Sequence, residues 1–188
     1  MTAYTLFGQP ASPATIISDA NPYTFGVQVS VSQPATLTAV WFYSAPSAEI
    51  LPATIALYAA SGGSLIHSEA ATWSGAAASG WVRAAFSSPP SLSASTAYEV
   101  CAYQGTAGVW YSATSHYWDS GAGSGGITSG PLSAPNSAGA VNGQDCFFSG
   151  TPLTFPNTAF NAGNYWVDAE VTVSAAPAAS GLFMAGIA

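Results

Sequence analysis

Hydrophobic and polar residues alternate along most of this chain, which is the pattern of half-buried β-strands. In the segment Thr24 to Val31, the apolar residues Phe25, Val27, Val29 and Val31 would share one face. Further segments with strand-like patterns are Ala35–Tyr43, Ala53–Ala60, Ser64–Trp73, Gly80–Phe86, Ala97–Tyr103, Val109–Ala113 and Tyr165–Ser174. No segment has the sustained period of an amphipathic helix, so the pattern predicts an all-β protein.

The alternation also assigns faces within the second strand. Leu37, Ala39 and Trp41 fall on one side of Ala35–Tyr43, whereas Thr38 and Val40 fall on the other. By the same reasoning Trp41, Trp81 and Trp166, which lie inside strand patterns, are expected to pack within the protein. Aromatic residues of this size usually contribute to a core or its rim.

Turn-forming residues separate the predicted strands at short intervals. Examples are Asn21-Pro22, Gln33-Pro34, Ser61-Gly62-Gly63 and Pro89-Pro90. Such spacing is typical of an antiparallel β-sandwich, and we expect a jelly-roll-like arrangement. The domain is predicted to span residues 1–174, followed by an Ala/Pro linker and an apolar tail over 175–188.

One long stretch, Ser115 to Gln144, is rich in Gly and Ser and is predicted to be a single long loop. Aromatic residues border it. Exposed aromatic rings in a neutral setting stack on sugar rings, so Tyr111, Tyr117 and Trp118 are predicted to bind glycan, with Tyr43 a further candidate. The alternative is that the loop is a lid packed over the sandwich.

The C-terminal tail is a separate candidate site. Its apolar residues Leu182, Phe183, Met184 and Ile187 are predicted to anchor the domain in an assembly, on a neighbouring copy or another particle protein. An uncovered apolar terminus favours aggregation, so something is expected to cover it. The alternative is that the tail folds back as a last strand.

Charge is scarce, and this excludes several partners. Charged residues make up 5% of the chain, and Arg83 is its single basic residue, giving a net charge of −7. A protein that binds nucleic acid needs several Lys or Arg to neutralise phosphates. Nucleic acid and anionic membrane surfaces are therefore not expected as partners.

The titratable residues do not suggest an enzyme. His67 and Glu69 sit at strand spacing, and Asp168 and Glu170 share a strand face, which suits two-carboxylate glycosidase chemistry but is more typical of an exposed polar face. We predict no catalytic residues, no metal and no cofactor. The two cysteines, Cys101 and Cys146, are either buried thiols or a disulfide.

Several segments resemble a bacterial and actinobacteriophage domain family of unknown biochemical function. They are Leu6-Phe7-Gly8, Asp19 with Tyr23 to Val27, Trp41-Phe42-Tyr43, Ile55 to Tyr58, Ser79 to Val82 with Phe86 and Pro89, Thr96-Ala97-Tyr98, and Phe155-Pro156 with Asn164-Tyr165-Trp166-Val167-Asp168. The family occurs beside glycosidases and in phage structural proteins. The resemblance implies a β-sandwich similar to carbohydrate-binding modules, without assigned catalytic residues.

Two functions are consistent with these observations. The first is a non-catalytic surface protein of a phage virion, a capsid decoration or minor tail protein, with capacity to bind cell-surface glycans. The second is a carbohydrate-binding module of a secreted bacterial enzyme. The N-terminal residues 1–4 lack the basic region followed by an apolar stretch that marks a secretory signal peptide, so none is expected. The virion is therefore the predicted location. Expected partners are capsid or tail proteins and further copies of the chain.

Overall fold

The computed structural model describes residues 1–8, 13, 15–44, 51–75, 80–106 and 110–173. Fifteen strands and one short 3₁₀ helix, Ser137–Gly139, lie in these ranges. The strands are β1 Thr2–Tyr4, β2 Thr15–Ser18, β3 Tyr23–Val31, β4 Ala35–Ser44, β5 Thr54–Ala59, β6 Leu65–Ala70, β7 Trp73–Ser74, β8 Gly80–Ala85, β9 Ser91–Leu92, β10 Tyr98–Tyr103, β11 Trp110–Ala113, β12 Ile127–Ser129, β13 Leu132–Ala134, β14 Cys146–Ser149 and β15 Val167–Val173.

Two antiparallel sheets form a β-sandwich, which confirms the predicted fold class. The six-stranded sheet has the order β1-β15-β4-β8-β7, with β9 also paired to β4. The seven-stranded sheet has the order β12-β13-β3-β10-β5-β6, with β14 also paired to β3. Strands β11 and β2 form a separate pair.

The core lies between the two sheets and is built from alternate residues of the long central strands. On β3 the residues Phe25, Val27 and Val29 are buried, as the sequence pattern predicts. On β4 the buried apolar residues include Val40 and Phe42, which contradicts the predicted faces of that strand. Burial of such side chains stabilises the fold by roughly 1.5–3 kcal/mol for each fully buried residue.

A β-bulge in β4 explains this difference. Glu170 of β15 pairs with Ala39, and the next residue, Val171, pairs with Leu37, so Thr38 is an extra residue in the ladder. A bulge of this kind reverses which residues face inward beyond it. Leu37 therefore points into the core, while Trp41 points to the outer side of the six-stranded sheet.

The prediction of a single long loop over the Gly/Ser-rich segment 115–144 is wrong, because this segment contains regular structure. Strands β12 and β13 form a hairpin that adds to the edge of β3. The 3₁₀ helix follows, with the Asn136 side chain accepting a hydrogen bond from Gly139 N. Each of these strands has three residues, which is too short for an alternating pattern to be visible in the sequence.

A single side chain completes the edge of β3 between β14 and β13. Gln144 is fully buried, and its Oε1 accepts a hydrogen bond from Gln28 N at 2.8 Å. Its Nε2 donates to Gln28 O at 2.9 Å, so the side-chain amide pairs with β3 as a strand residue would. It also donates to Pro135 O and accepts from Asp145 N.

The cysteines are separate, buried thiols. Cys101 of β10 and Cys146 of β14 both lie opposite Gly26, on the two sides of β3. Two strand spacings place their Cα atoms about 10 Å apart, beyond the reach of a disulfide. The alternative of a bonded pair, which the sequence left open, is therefore wrong for this structure.

The predicted assembly anchor, Leu182, Phe183, Met184 and Ile187, lies outside the described residues, as does the whole tail over 175–188. The described residues include no helix that is long and apolar enough to cross a membrane.

Candidate glycan-binding surface

The three residues predicted to bind glycan do not form one exposed platform. Trp118 has no exposed surface, and Tyr111 is 8% exposed, so both belong to the core. Trp118 N donates to Ala162 O, and Trp118 O accepts from Ser137 N, which fixes this residue beneath the segment that follows it. The prediction of Trp118 and Tyr111 as surface residues is wrong, whereas Tyr117 remains partly exposed.

Two glycines of the Gly/Ser-rich segment, Gly121 and Gly123, allow the chain to pack closely against these residues. A Cβ atom on Gly123 would lie 2.5 Å from the Trp118 ring and 2.7 Å from the Tyr117 ring. On Gly121 it would lie 2.8 Å from His116 O. The glycine-rich run over residues 121–126 is therefore a tight turn packed on aromatic rings.

Partly exposed aromatic residues instead gather on the outer side of the six-stranded sheet and at its end. We call the set Phe7, Trp41, Tyr43, Trp81 and Tyr117 the aromatic strip. Tyr43 of β4 lies directly opposite Trp81 of β8 in the strand register, with their rings 5.6 Å apart. The strip brings together two candidates from the sequence, Tyr43 and Tyr117, with three residues that were not predicted to bind.

Ring contacts connect four members of the strip, Phe7, Tyr43, Trp81 and Tyr117. Phe7 stacks on Trp81 with centroids 6.0 Å apart and an interplanar angle of 20°, and it meets Tyr117 edge-on at 6.0 Å. Trp166 is buried beneath them, and its ring centroid lies 5.4 Å from that of Phe7 and 5.6 Å from that of Tyr117. These packed neighbours hold the exposed rings in place, so little side-chain freedom remains to be lost on binding.

The single arginine lies at one end of the strip and is fixed by a carboxylate. Arg83 Nε donates to Glu170 Oε2 at 2.9 Å and Arg83 Nη2 donates to Oε1 at 2.6 Å. Trp41 Nε1 donates to Oε2 at 3.0 Å, and Thr38 Oγ1 donates to Oε1 at 2.9 Å. These hydrogen bonds, the bonds from Arg83 foremost, lower the pKa of Glu170 to about 2, so it is ionised at neutral pH.

The guanidinium also contacts the strip itself. Arg83 Cζ lies 5.9 Å from the centroid of the Trp41 ring, within the range of a cation–π interaction. Arg83 opposes Trp41 in the register of β8 and β4. A guanidinium has five N–H donors, of which the Glu170 pair uses two, so donors remain for a ligand's hydroxyl groups.

A second carboxylate positions Phe7 without facing solvent. Asp168 is 2% exposed, and its two oxygens accept hydrogen bonds from Leu6 N at 2.8 Å and Phe7 N at 3.0 Å. Burial raises the pKa of Asp168 to about 7, against the lowering effect of these bonds. The expectation of an exposed face shared with Glu170 is wrong for Asp168, because the N-terminal segment covers it.

The two histidines each form a separate pair with one carboxylate. His67 Nε2 is 3.4 Å from Glu69 Oε2, and the same carboxylate accepts hydrogen bonds from Ser87 N and Oγ. His116 Nδ1 lies 3.0 Å from Asp119 Oδ2 at the surface. Within the described ranges, no group of three or more His, Cys, Asp or Glu is arranged to hold a metal ion.

The sequence missed Trp41, Trp81 and Arg83 as members of one surface. Trp81 and Arg83 alternate with the buried Val82 and Ala84 along β8, and this alternation is a signal that could have placed both residues outside. For Trp41 the alternation gives the wrong face, because the bulge at Thr38 shifts the register within β4. Phe7 could not be found from strand patterns, since its place depends on hydrogen bonds to a residue 161 positions away.

Comparison with known proteins gives a family and no activity. A family model described as a domain of unknown function, DUF4082, matches residues 9–167. Among curated proteins none matches the chain. The resemblance found in the sequence is thereby confirmed as far as a domain family of unknown function. Because the match spans most of its length, the chain belongs to the DUF4082 family.

Proposed function

We propose that this chain is a non-catalytic surface domain that binds neutral glycan on the aromatic strip. The observation that carries the proposal is the row of partly exposed rings held in contact with one another beside Arg83 and Glu170. Aromatic faces carry partial negative charge and attract the C–H faces of sugar rings. The guanidinium and carboxylate offer donors and acceptors to sugar hydroxyl groups.

The charge of the chain favours neutral over acidic glycans. Its net charge is −7, and its one basic side chain is already paired with Glu170. An acidic polysaccharide would be repelled by this field and would find no free cluster of cations. The non-catalytic part of the proposal is supported by the partners of the carboxylates Asp168 and Glu170. Both oxygens of Asp168 accept hydrogen bonds from the backbone of Leu6 and Phe7, and Glu170 is paired with Arg83.

The test is affinity electrophoresis of the protein through gels containing neutral or acidic polysaccharides. We expect retention by a neutral polysaccharide, and we expect Trp81→Ala and Tyr43→Ala each to weaken it by about threefold to tenfold, the effect of one aromatic contact. Tyr103→Ala is the matched control, since Tyr103 is a partly exposed tyrosine on the seven-stranded sheet. Equal retention of all these variants would overturn the proposal.

A place on a phage virion, as a capsid decoration or minor tail protein, remains our proposal for where the domain acts. It is supported by the low charge of the chain, 5%, and by the apolar tail residues Leu182, Phe183, Met184 and Ile187 as an anchor. The alternative is a carbohydrate-binding module of a secreted enzyme. Saturable binding to undecorated particles, lost when residues 182–188 are deleted, is expected for the virion role. Binding to polysaccharide alone favours the module.

A further inference from the structure

A second aromatic site lies away from the strip. Six aromatic residues line a small cavity of about 80 Å³, which we call the aromatic box: Tyr23, Phe25, Tyr111, Phe147, Phe160 and Tyr165. Phe160 is 62% exposed, whereas Tyr23, Phe25, Tyr111 and Tyr165 are each 8% exposed or less. The box therefore has a packed floor and an open aromatic rim, and it includes Tyr111, which the sequence predicted as a binding residue.

Some rings of the box are nearly parallel to one another, and others are steeply inclined. Tyr23 and Phe25 are nearly parallel at 18°, and Phe25 and Tyr165 are nearly parallel at 25°. Tyr111 is inclined by 64° to Tyr23 and by 62° to Tyr165. Phe147 is inclined by 72° to Tyr23 and by 73° to Tyr165. Aromatic rings at several inclinations therefore line the cavity.

A carboxylate stands next to this box. Tyr23 Oη donates to Asp19 Oδ2 at 2.8 Å, and Asn21 N and Nδ2 donate to Asp19 Oδ1 at 3.0 Å and 3.2 Å. These bonds, the one from Tyr23 foremost, lower the pKa of Asp19, so the carboxylate is ionised at neutral pH. Because Tyr23 itself lines the cavity, this hydrogen bond places the carboxylate at the edge of the box.

No lysine or arginine side chain fills the box. There is no lysine in the sequence, and Arg83 is held by Glu170 on the six-stranded sheet. The net charge of −7 raises the local concentration of small cations around the molecule. A cationic ligand would therefore compete with no lysine or arginine side chain for the box.

The size of the cavity limits the ligand. Its volume of about 80 Å³ exceeds the roughly 10–15 Å³ that a cavity needs to hold one water molecule. It is much smaller than the roughly 300–1,000 Å³ of pockets that enclose drug-sized ligands. A compact head group fits this range. Aromatic cages of this composition recognise quaternary ammonium groups, whose charge is spread over methyl groups and is weakly hydrated.

We propose that the aromatic box binds a quaternary ammonium group, with Asp19 as its counter-charge and Phe160 closing the rim. The ligand class is a trimethylammonium head group on a larger molecule, which remains outside the cavity. This site is independent of the aromatic strip and of the proposed glycan binding.

The experiment compares choline with its neutral carbon isostere, in which a tert-butyl group replaces the trimethylammonium group. Binding to the full chain is followed by NMR titration at low and high ionic strength. We expect saturable binding of choline and at least about tenfold weaker binding of the isostere, because only the cation gains from the rings and from Asp19. High salt is expected to weaken choline binding, since Asp19 is partly exposed.

Two variants test the residues at the mouth, each with a matched control. Asp19→Asn removes the charge but keeps an acceptor for Tyr23, and Phe160→Ala removes an exposed ring; both are expected to weaken choline binding by at least about threefold. Asp119→Asn and Leu65→Ala change an exposed carboxylate and an exposed apolar side chain elsewhere, and should leave it unchanged. Equal binding of both probes, no saturable binding of choline, or unchanged binding in both mouth variants would overturn the proposal.

Discussion

Single buried polar side chains in this protein form hydrogen bonds with backbone groups that would otherwise have no partner. Gln144 makes two hydrogen bonds with the backbone of Gln28, at the edge of β3 between the positions paired with β13 and those paired with β14. Asp168 holds the backbone of Leu6 and Phe7 in the same way. Buried backbone groups must find partners, and these side chains supply them. The sequence shows such residues only as ordinary polar positions, so their roles could not be predicted.

Gln144→Leu is expected to destabilise the protein strongly. The substitution keeps most of the side-chain volume but leaves Gln28 N and O, Pro135 O and Asp145 N without their partner. Each unsatisfied buried group costs roughly 1–3 kcal/mol, so the loss of these partners should lower the free energy of unfolding by at least about 4 kcal/mol. Urea unfolding measures this, with Gln33→Leu, at an exposed position, as the control. A similar small change in both variants would contradict the assigned role.

At the scale of strands, the sequence predicted the long central elements well and the short edge elements poorly. The predicted segment Thr24 to Val31 agrees with β3, Tyr23–Val31, because nine residues give a clear alternation. β12 and β13 have three residues each and owe their conformation to the edge of β3. One bulged residue, Thr38, also reversed the predicted face of Trp41. The aromatic strip could therefore be predicted only in part, from Tyr43 and Tyr117.

Asp168→Ala is expected to release Leu6 and Phe7, which follow β1, from the six-stranded sheet. Without the carboxylate, Leu6 N and Phe7 N lose their acceptors, and Phe7 loses the support that keeps it on Trp81. Hydrogen exchange should become much faster at these two amides while the Val171 amide in the same sheet stays protected. Asp168→Asn keeps one side-chain acceptor and should show an intermediate effect. Unchanged protection of Leu6 and Phe7 in Asp168→Ala would argue against this attachment.

At the scale of the whole molecule, the carboxyl groups differ in the direction in which the fold shifts their pKa. Burial raises the pKa of Glu99 and Asp145 well above the usual range, and it raises that of Asp168 to about 7. Each of the first two has one oxygen without a hydrogen bond from the described part of the chain. Glu170, paired with Arg83, has a pKa of about 2 instead. With so few charges, these groups dominate the dependence of stability on pH.

The protein is expected to be most stable in mildly acidic solution. Between the pKa of about 4 in the unfolded chain and about 7 in the folded protein, Asp168 binds more protons when folded, so stability falls as the pH rises through this window. Glu99 and Asp145 act in the same direction. Glu170 acts oppositely: its contribution is complete above about pH 4.3 and is lost as the pH falls towards 2.

Thermal unfolding from about pH 2 to about pH 8 tests both limbs of this profile. The melting temperature should pass through a maximum near about pH 4–5, where the buried carboxyls are protonated and Glu170 is still largely ionised. Glu170→Gln should remove most of the loss on the acid side, and Asp168→Asn should flatten the decline towards neutral pH. A melting temperature that rises steadily from about pH 5 to about pH 8 would show that the buried carboxyls are ionised in the folded protein at little cost. Their burial would then not govern stability.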